Sequence, residues 1–441
     1  MSTTVMFIGL AVFLAHFLAL QFRRTNIPDV LVLVLVGIVL GPLTGVVTPE
    51  DFGKIGPIIA TIALVVILFE GGTSLDLDVL RRSIGTTGVL TIGGFVTTGL
   101  IVAAAGHLAF GLELLPALLL GATLGGTSSA VVIPMVNSLR LGEKPSTVLV
   151  LESALTDVLC IIAVFALLQA ASQGEVHPGH LIGSVLSAMI FAAVIGIAGG
   201  AGWMLVLGRI RGFPNTISST LAYVFIVYGV TEFLGFSGAI AALSLGITLG
   251  NVQRLSMLDR ITGGHHVQPL SAEDLNFYRE AVFLLKTYFF IYLGISIRFG
   301  EFTMALVAIA MVVLVFAVRT GLVRQLYRGP DVSLRDAAVT SMMAPKGLAA
   351  AVLATLPLQY GIVGGEIIRD VSYMVVLVSI TLTALLVVAL PWAPVTALYA
   401  RVLGKPADGP VPPGRSDDAA GAPAASPVSA PATPRSDPPI D

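Results

Sequence analysis

Residues 148–167 read VLVLESALTDVLCIIAVFAL, an apolar run whose only charges are Glu152 and Asp157. A bilayer core of about 30 Å needs roughly 20 such residues in helical form. A carboxylate at its centre costs about 2.5 kcal/mol or more unless it is paired or hydrated. The stretch therefore implies a membrane helix and asks what two acids do inside it. Five residues at about 100° each turn the acids about 140° apart, so they face different surroundings. Ser153, four residues before Asp157, shares its face, and together they offer oxygen ligands to a hard cation. Glu152 needs a separate partner.

The rest of the chain agrees with that reading. Of its 441 residues 56% are hydrophobic and only 11% charged, with a mean hydropathy of +0.94. Soluble domains carry about 25% charged residues, so most of this surface must meet lipid. A net charge of -2 gives no reason to expect nucleic acid as a partner. The single cysteine, Cys160, excludes an internal disulfide or a multi-cysteine metal cage and reads as a small buried hydrophobe. Apolar spans are expected near 3–22, 28–47, 54–72, 84–110, 113–138, 146–171, 179–208, 216–234, 237–251, 275–297, 302–323, 333–357 and 368–396. The first lacks a basic region before it and a cleavage site after it, so it reads as a retained span. This predicts an all-α, polytopic membrane protein of about thirteen transmembrane helices.

Counting basic residues between these spans places the N-terminus outside and the C-terminus in the cytoplasm. One set of loops carries Arg23, Arg24, Arg81, Arg82, Arg140, Lys144, Arg324, Arg328, Arg335 and Arg401 among others, with Arg319 counted there too; the opposite set carries only Lys54, Arg298 and Arg369. Residues 1–403 form the transmembrane domain. From Gly404 the chain turns rich in Pro, Ala, Ser and Asp, a composition that cannot bury enough apolar surface to offset chain entropy, so 404–441 is expected to be a disordered cytoplasmic tail.

Four more ionisable groups fall within the spans: Glu70, Glu232, Lys286 and Lys346. Glu232 lies near a helix end and reads as interfacial, and Glu70 occupies the last hydrophobic turn of its span. Two spans are interrupted. In LLGATLGGTSSAVVIPMV (119–136), Gly125, Gly126 and Pro134 surround Thr127, Ser128 and Ser129; in TSMMAPKGLAAAVLATLP (340–357), Pro345 and Gly347 flank Lys346. Glycine loosens a helix and proline removes a donor, so carbonyls at both places can leave the ladder and face a cavity. Lys346 suits such carbonyl ends and is also a cation able to neutralise Glu152, with Lys286 in reserve. A faint repeat pairs LVLVGIVLGP (33–42) with AALSLGITLGN (241–251), and LFEGGTSL (68–75) with IYLGISI (291–297). Partners lie seven spans apart and so run in opposite senses. Inverted repeats with paired broken helices are the sequence pointer to a transporter with a midplane site.

Six strings in this order, IPDVLVLVLVGIVLGP, FEGGTSLDLDVLRRS, GGTSSAVV, ESALTDVL, FFIYLGISI and APKGLAAAVLATLP, resemble the monovalent cation/proton antiporter superfamily, most closely its prokaryotic sodium/proton exchanger branch. The resemblance covers about residues 5–400. It implies two crossed broken helices, an ion site from Asp157, Ser153, Glu70, Thr127 and Thr156, a structural pair Glu152–Lys346, and homodimers in which a six-helix core moves against a dimerisation domain. Three positions depart from the pattern: Thr156 stands for asparagine, Ser128 for aspartate and Lys346 for arginine.

The expected function is exchange of a monovalent cation for protons across the cell membrane, sodium first, with potassium or lithium as alternatives. Asp157 would hold cation or proton in turn. A bare, desolvated carboxylate is expensive to carry through lipid and a neutralised one is not, so only loaded states would cross. Thr156 cannot titrate, which favours one proton per cation. No enzyme activity, cofactor or resident metal is expected. The alternatives are a gated potassium efflux system, which would need a nucleotide-binding domain the tail is too short to form, and a carrier of anionic solutes, which would need convergent arginines that the predicted spans do not bury.

Overall fold

A computed structural model describes residues 9–10, 13–14, 16–17, 28–52, 55–75, 77–172, 178–210, 216–251, 270–298, 302–329 and 331–405. Most of the expected first span and the tail beyond Lys405 lie outside the described residues. Helices account for the architecture: α1 (Asp29–Ile38), α2 (Ile55–Ser74), α3 (Leu77–Phe110), α4 (Leu114–Leu124), α5 (Ser129–Leu139), α6 (Glu143–Ser172), α7 (Pro178–Ile210), α8 (Thr216–Phe233), α9 (Gly238–Gly250), α10 (Ala272–Ser296), α11 (Phe302–Leu326), α12 (Leu334–Met342), α13 (Leu348–Leu353), α14 (Leu356–Gln359), α15 (Gly365–Ala389) and α16 (Ala393–Leu403). Six segments among the described residues are long and apolar enough to cross a membrane: 87–110, 114–136, 143–171, 187–207, 302–326 and 365–389. Large side chains such as Leu108, Phe233 and Phe302 are 82%, 90% and 77% exposed, which in a membrane protein is contact with lipid rather than a fault.

The helices pack as two bundles. In the scaffold bundle α1 lies on α10, and α9 packs against α2, α7 and α8; in the core bundle α3 packs on α4, α6 and α11, and α6 packs on α5 and α13. Glycines explain the closest scaffold contacts. A Cβ on Gly37 would strike the Ile291 carbonyl and the Gly294 Cα, and one on Gly246 would strike the Phe69 carbonyl and the Gly72 Cα. These two contacts occupy matching places in the aligned strings 33–42 with 241–251 and 68–75 with 291–297. The faint repeat is thus physical: α1 against α10 repeats as α9 against α2, each pair held backbone to backbone.

The repeat extends to the core. One broken helix stops at Leu124 and resumes at Ser129; the other stops at Met342 and resumes at Leu348. Thr127 and Lys346 each lie two residues before the restart and are repeat equivalents. The two breaks meet where the Ser128 amide donates to the Pro345 carbonyl at 2.8 Å. Gly347 has to be glycine because a Cβ there would occupy the position of the Ser128 side chain.

One face of the bundle is basic. Arg335 donates to the Leu139 carbonyl at 2.9 Å, and the Lys405 ammonium donates to the carbonyls of Gly329 and Val332 at 2.8 and 2.6 Å. These bonds tie α5, α12 and α16 together at that end.

Candidate functional site: a carboxylate at crossed broken helices

Unwinding frees backbone groups that must be satisfied elsewhere, since an unpaired amide in an apolar core is costly. The Gly126 amide donates to Cys160 Sγ at 3.1 Å and the Thr127 amide to Thr156 Oγ1 at 3.0 Å, both acceptors on α6. In the other repeat the Lys346 amide donates to Ser379 Oγ on α15 at 2.9 Å. Thr156 and Ser379 are thus matching supports for the two breaks. Cys160, expected only as a buried hydrophobe, is buried and is also an acceptor.

Asp157 lies one residue beyond Thr156 and is half-buried. The hydroxyl of Ser129, the first residue of α5, donates to Asp157 Oδ2 at 2.7 Å. Ser129 is the residue that sequence reasoning left out of the site; its signal was its place at a helix restart after two glycines. Ser153 is fully buried on the same face of α6, and its hydroxyl donates to the Val150 carbonyl of its own helix at 3.0 Å. Thr127 Oγ1 lies 3.2 Å from Thr156 Oγ1. Glu70 belongs to the other bundle, half-buried near the end of α2, where its carbonyl accepts the Thr73 hydroxyl at 2.7 Å.

The expected Glu152–Lys346 pair does not form. Glu152 is held by Arg319 of α11, whose two terminal nitrogens meet the two carboxylate oxygens at 2.5 and 2.8 Å, while its Nε donates to the Thr340 carbonyl at 3.0 Å. The count of basic residues along the sequence places Arg319 with the loops. In the structure α11 runs to Leu326, so Arg319 lies two turns inside the helix and is 5% exposed. Its planar fork matches a carboxylate in a way an ammonium cannot. The expectation that no arginine is buried fails at the same residue. Lys286, the reserve partner, pairs with Asp29 at 2.9 Å across α10 and α1.

Lys346 is 2% exposed, and its ammonium donates to the Gly126 carbonyl at 2.7 Å. It thus carries out the other task foreseen for it, a positive charge against a freed carbonyl of the opposing break. A small cavity in the core is bounded by Gly125, Thr127, Glu152, Thr156, Arg319 and Lys346. The arrangement is one carboxylate that accepts the Ser129 hydroxyl and has no ion pair among the described residues, next along α6 to the Thr156 support and five residues from a compensated buried pair.

Residues 9–390 match the family model described as sodium/hydrogen exchanger, transmembrane. The chain belongs to the sodium/hydrogen exchanger family. This exchanger-family protein is 25% identical over 365 residues to the K(+)/H(+) antiporter NhaP2 of Shewanella baltica, a stretch covering 81% of this chain and 61% of that relative. It is 27% identical over 262 residues to the K(+)/H(+) antiporter NhaP of Alkalimonas amylolytica, covering 57% and 44%. The chain therefore spans about three fifths of the length of the NhaP2 relative it matches. The sodium proton antiporter MjNhaP1 from Methanocaldococcus jannaschii has the same fold, with a TM-score of 0.69 at 21% identity over 92% of this chain and 99% of that one.

Proposed function

We propose that this protein is a secondary antiporter that exchanges a monovalent cation for protons across the cell membrane. The observation that carries the reading is Asp157, a half-buried carboxylate at the crossing of two broken helices whose hydrogen-bond partner is a neutral hydroxyl. Cation and proton compete for it because either one neutralises it. A core bundle bearing a neutral site crosses the low-dielectric region far more readily than one bearing a bare charge. Ser129, Ser153, Thr127 and the freed carbonyls are oxygen ligands suited to a hard cation, and Glu70 contributes from the scaffold when the bundles approach. By the positive-inside rule the basic face is cytoplasmic. Two copies associate through their scaffold bundles. Sodium remains the first choice of ion, and the NhaP2 and NhaP relatives, named for K(+), bring potassium to equal standing in the test.

Proteoliposomes carrying a pH gradient and offered Na⁺, K⁺ or Li⁺ in turn test this. Wild-type protein should move protons with at least one of these ions, and Asp157→Asn, which keeps size but removes the charge, should abolish it. Exchange at wild-type rate in that variant would overturn the assignment.

A further inference from the structure

Glu232 reads in the sequence as an interfacial acid near a helix end. In the structure it borders a cavity of about 270 Å³ toward the C-terminal end of α6, whereas the basic face lies where α5 ends and α6 begins. The walls come from both bundles: Phe165 and Gln169 of α6, Phe236 and Ser237 of the α8–α9 turn, and Tyr360 after α14. Among the described residues of that lining Glu232 is the only charged one. It is half-buried and held in place, since its Oε1 accepts the Gly238 amide at 2.7 Å at the start of α9. Gly238 permits this approach, because a Cβ there would press on Tyr228 and on the Glu232 side chain itself.

The cavity stops short of Asp157. Along α6 the face of Asp157 continues through Ile161 and Val164, which are 1% and 0% exposed, before Phe165 and Leu168 reach the cavity wall. Asp157 and Phe165 are eight residues apart, about 12 Å of helix, so an apolar plug no deeper than that separates the ion site from the cavity. A water occupies about 30 Å³ of liquid, so the cavity has room for a cation with several waters but is far larger than a bare ion. A carboxylate with no cation beside it among the described residues, at the mouth of a low-dielectric cleft, concentrates positive counter-ions there.

We propose that this cavity is an outer antechamber holding a hydrated monovalent cation, and that Glu232 is its recruiting residue. The proposal rests on the exchange reading and on the orientation given above. Glu232 acts on one side of the membrane only, before the plug opens, and takes no part in the exchange at Asp157.

The test compares cation affinity from the two sides, using Na⁺ and K⁺ as probes on right-side-out and inverted vesicles carrying the full chain. Glu232→Gln keeps an acceptor for the Gly238 amide and removes the charge. It should raise KM for the outer cation by about three- to tenfold at low ionic strength, the rise shrinking as inert salt screens the carboxylate, with KM for the inner cation unchanged. Glu232→Asp should retain most of the outer affinity. Ala188→Lys puts a positive charge into the same lining without touching the Gly238 bond; it should reproduce the one-sided loss and serves if Glu232→Gln does not fold. An unchanged outer KM in both charge-altering variants, or an equal rise on both sides, overturns the antechamber. Absence of cation-coupled proton movement in wild-type protein would instead overturn the exchange reading beneath it.

Discussion

At the scale of single residues, the buried Glu152–Arg319 pair and the lone Asp157 divide the work of two acids five residues apart. Both oxygens of Glu152 are engaged by one guanidinium, so its charge is permanently compensated and its role is to fix α6 against α11. Removing one partner of such a pair leaves the other charge buried and uncompensated, at a cost of about 3–5 kcal/mol. Glu152→Ala and Arg319→Ala should each lower the melting temperature in detergent, and the double variant should lose clearly less than their sum. Lys346→Ala combined with Glu152→Ala should by contrast be closer to additive, because Lys346 donates to Gly126 and not to Glu152. Strong coupling in that second cycle would restore the pairing expected from the sequence. Asp157 was legible because a charge in an apolar span is conspicuous. Ser129 was not, since a serine at a helix break has several possible partners and only the fold selects one.

At the scale of elements, the two breaks are one device used twice. Each restarts two residues after the residue that matters, Thr127 in one and Lys346 in the other, and each rests a freed amide on a hydroxyl of the neighbouring long helix. Gly347 is the contact point between them. Gly347→Ala should block the crossing, because its methyl group and the Ser128 side chain cannot share the same space, and exchange should fall to background in protein that still inserts. Ser379→Ala leaves the Lys346 amide without an acceptor and should cost about 1–3 kcal/mol, whereas Ser379→Thr should retain the bond; thermal denaturation of both variants beside the wild type compares them. Both breaks were visible in the sequence from Gly and Pro among hydroxyls. Their contact was not, because Ser128 and Pro345 belong to different halves of the chain.

At the scale of the whole molecule, charge counting decides stoichiometry and chain ends decide stability. Beside Asp157 stands Thr156, which has no charge to lose, so one-for-one exchange is expected, and collapsing the membrane potential should leave the rate of cation-driven proton movement unchanged in vesicles. An imposed voltage that drives exchange without chemical gradients would mean a second proton, with Lys346 the first residue to examine. The end of the described chain matters in a different way. Lys405 donates to two carbonyls in the segment leading to the broken helix and Leu403 is 5% exposed. Truncation after Lys405 should keep transport, whereas truncation before it should lower thermal stability by about 1.5–3 kcal/mol, the range for hydrogen bonds of a charged group.

The sequence by itself determined that this chain spans membranes as helices, that two of those helices break, and that Asp157 is the acid to watch. Each follows from local physics: lipid demands apolar runs with internal hydrogen bonds, glycine and proline weaken the helical ladder, and a charge in hydrocarbon needs a reason. It also carried the repeat, faintly, in glycines whose spacing reflects close backbone packing. Tertiary structure alone decided the partners. Glu152 and Arg319 are 167 residues apart, and the sequence offers Lys346 first and Lys286 in reserve as the cation for Glu152. Which of them meets Glu152 depends on where α11 ends and which way its side chains face, and a helix end is the feature that hydropathy defines least sharply, since the long side chain of arginine lets its charge reach well away from its own Cα.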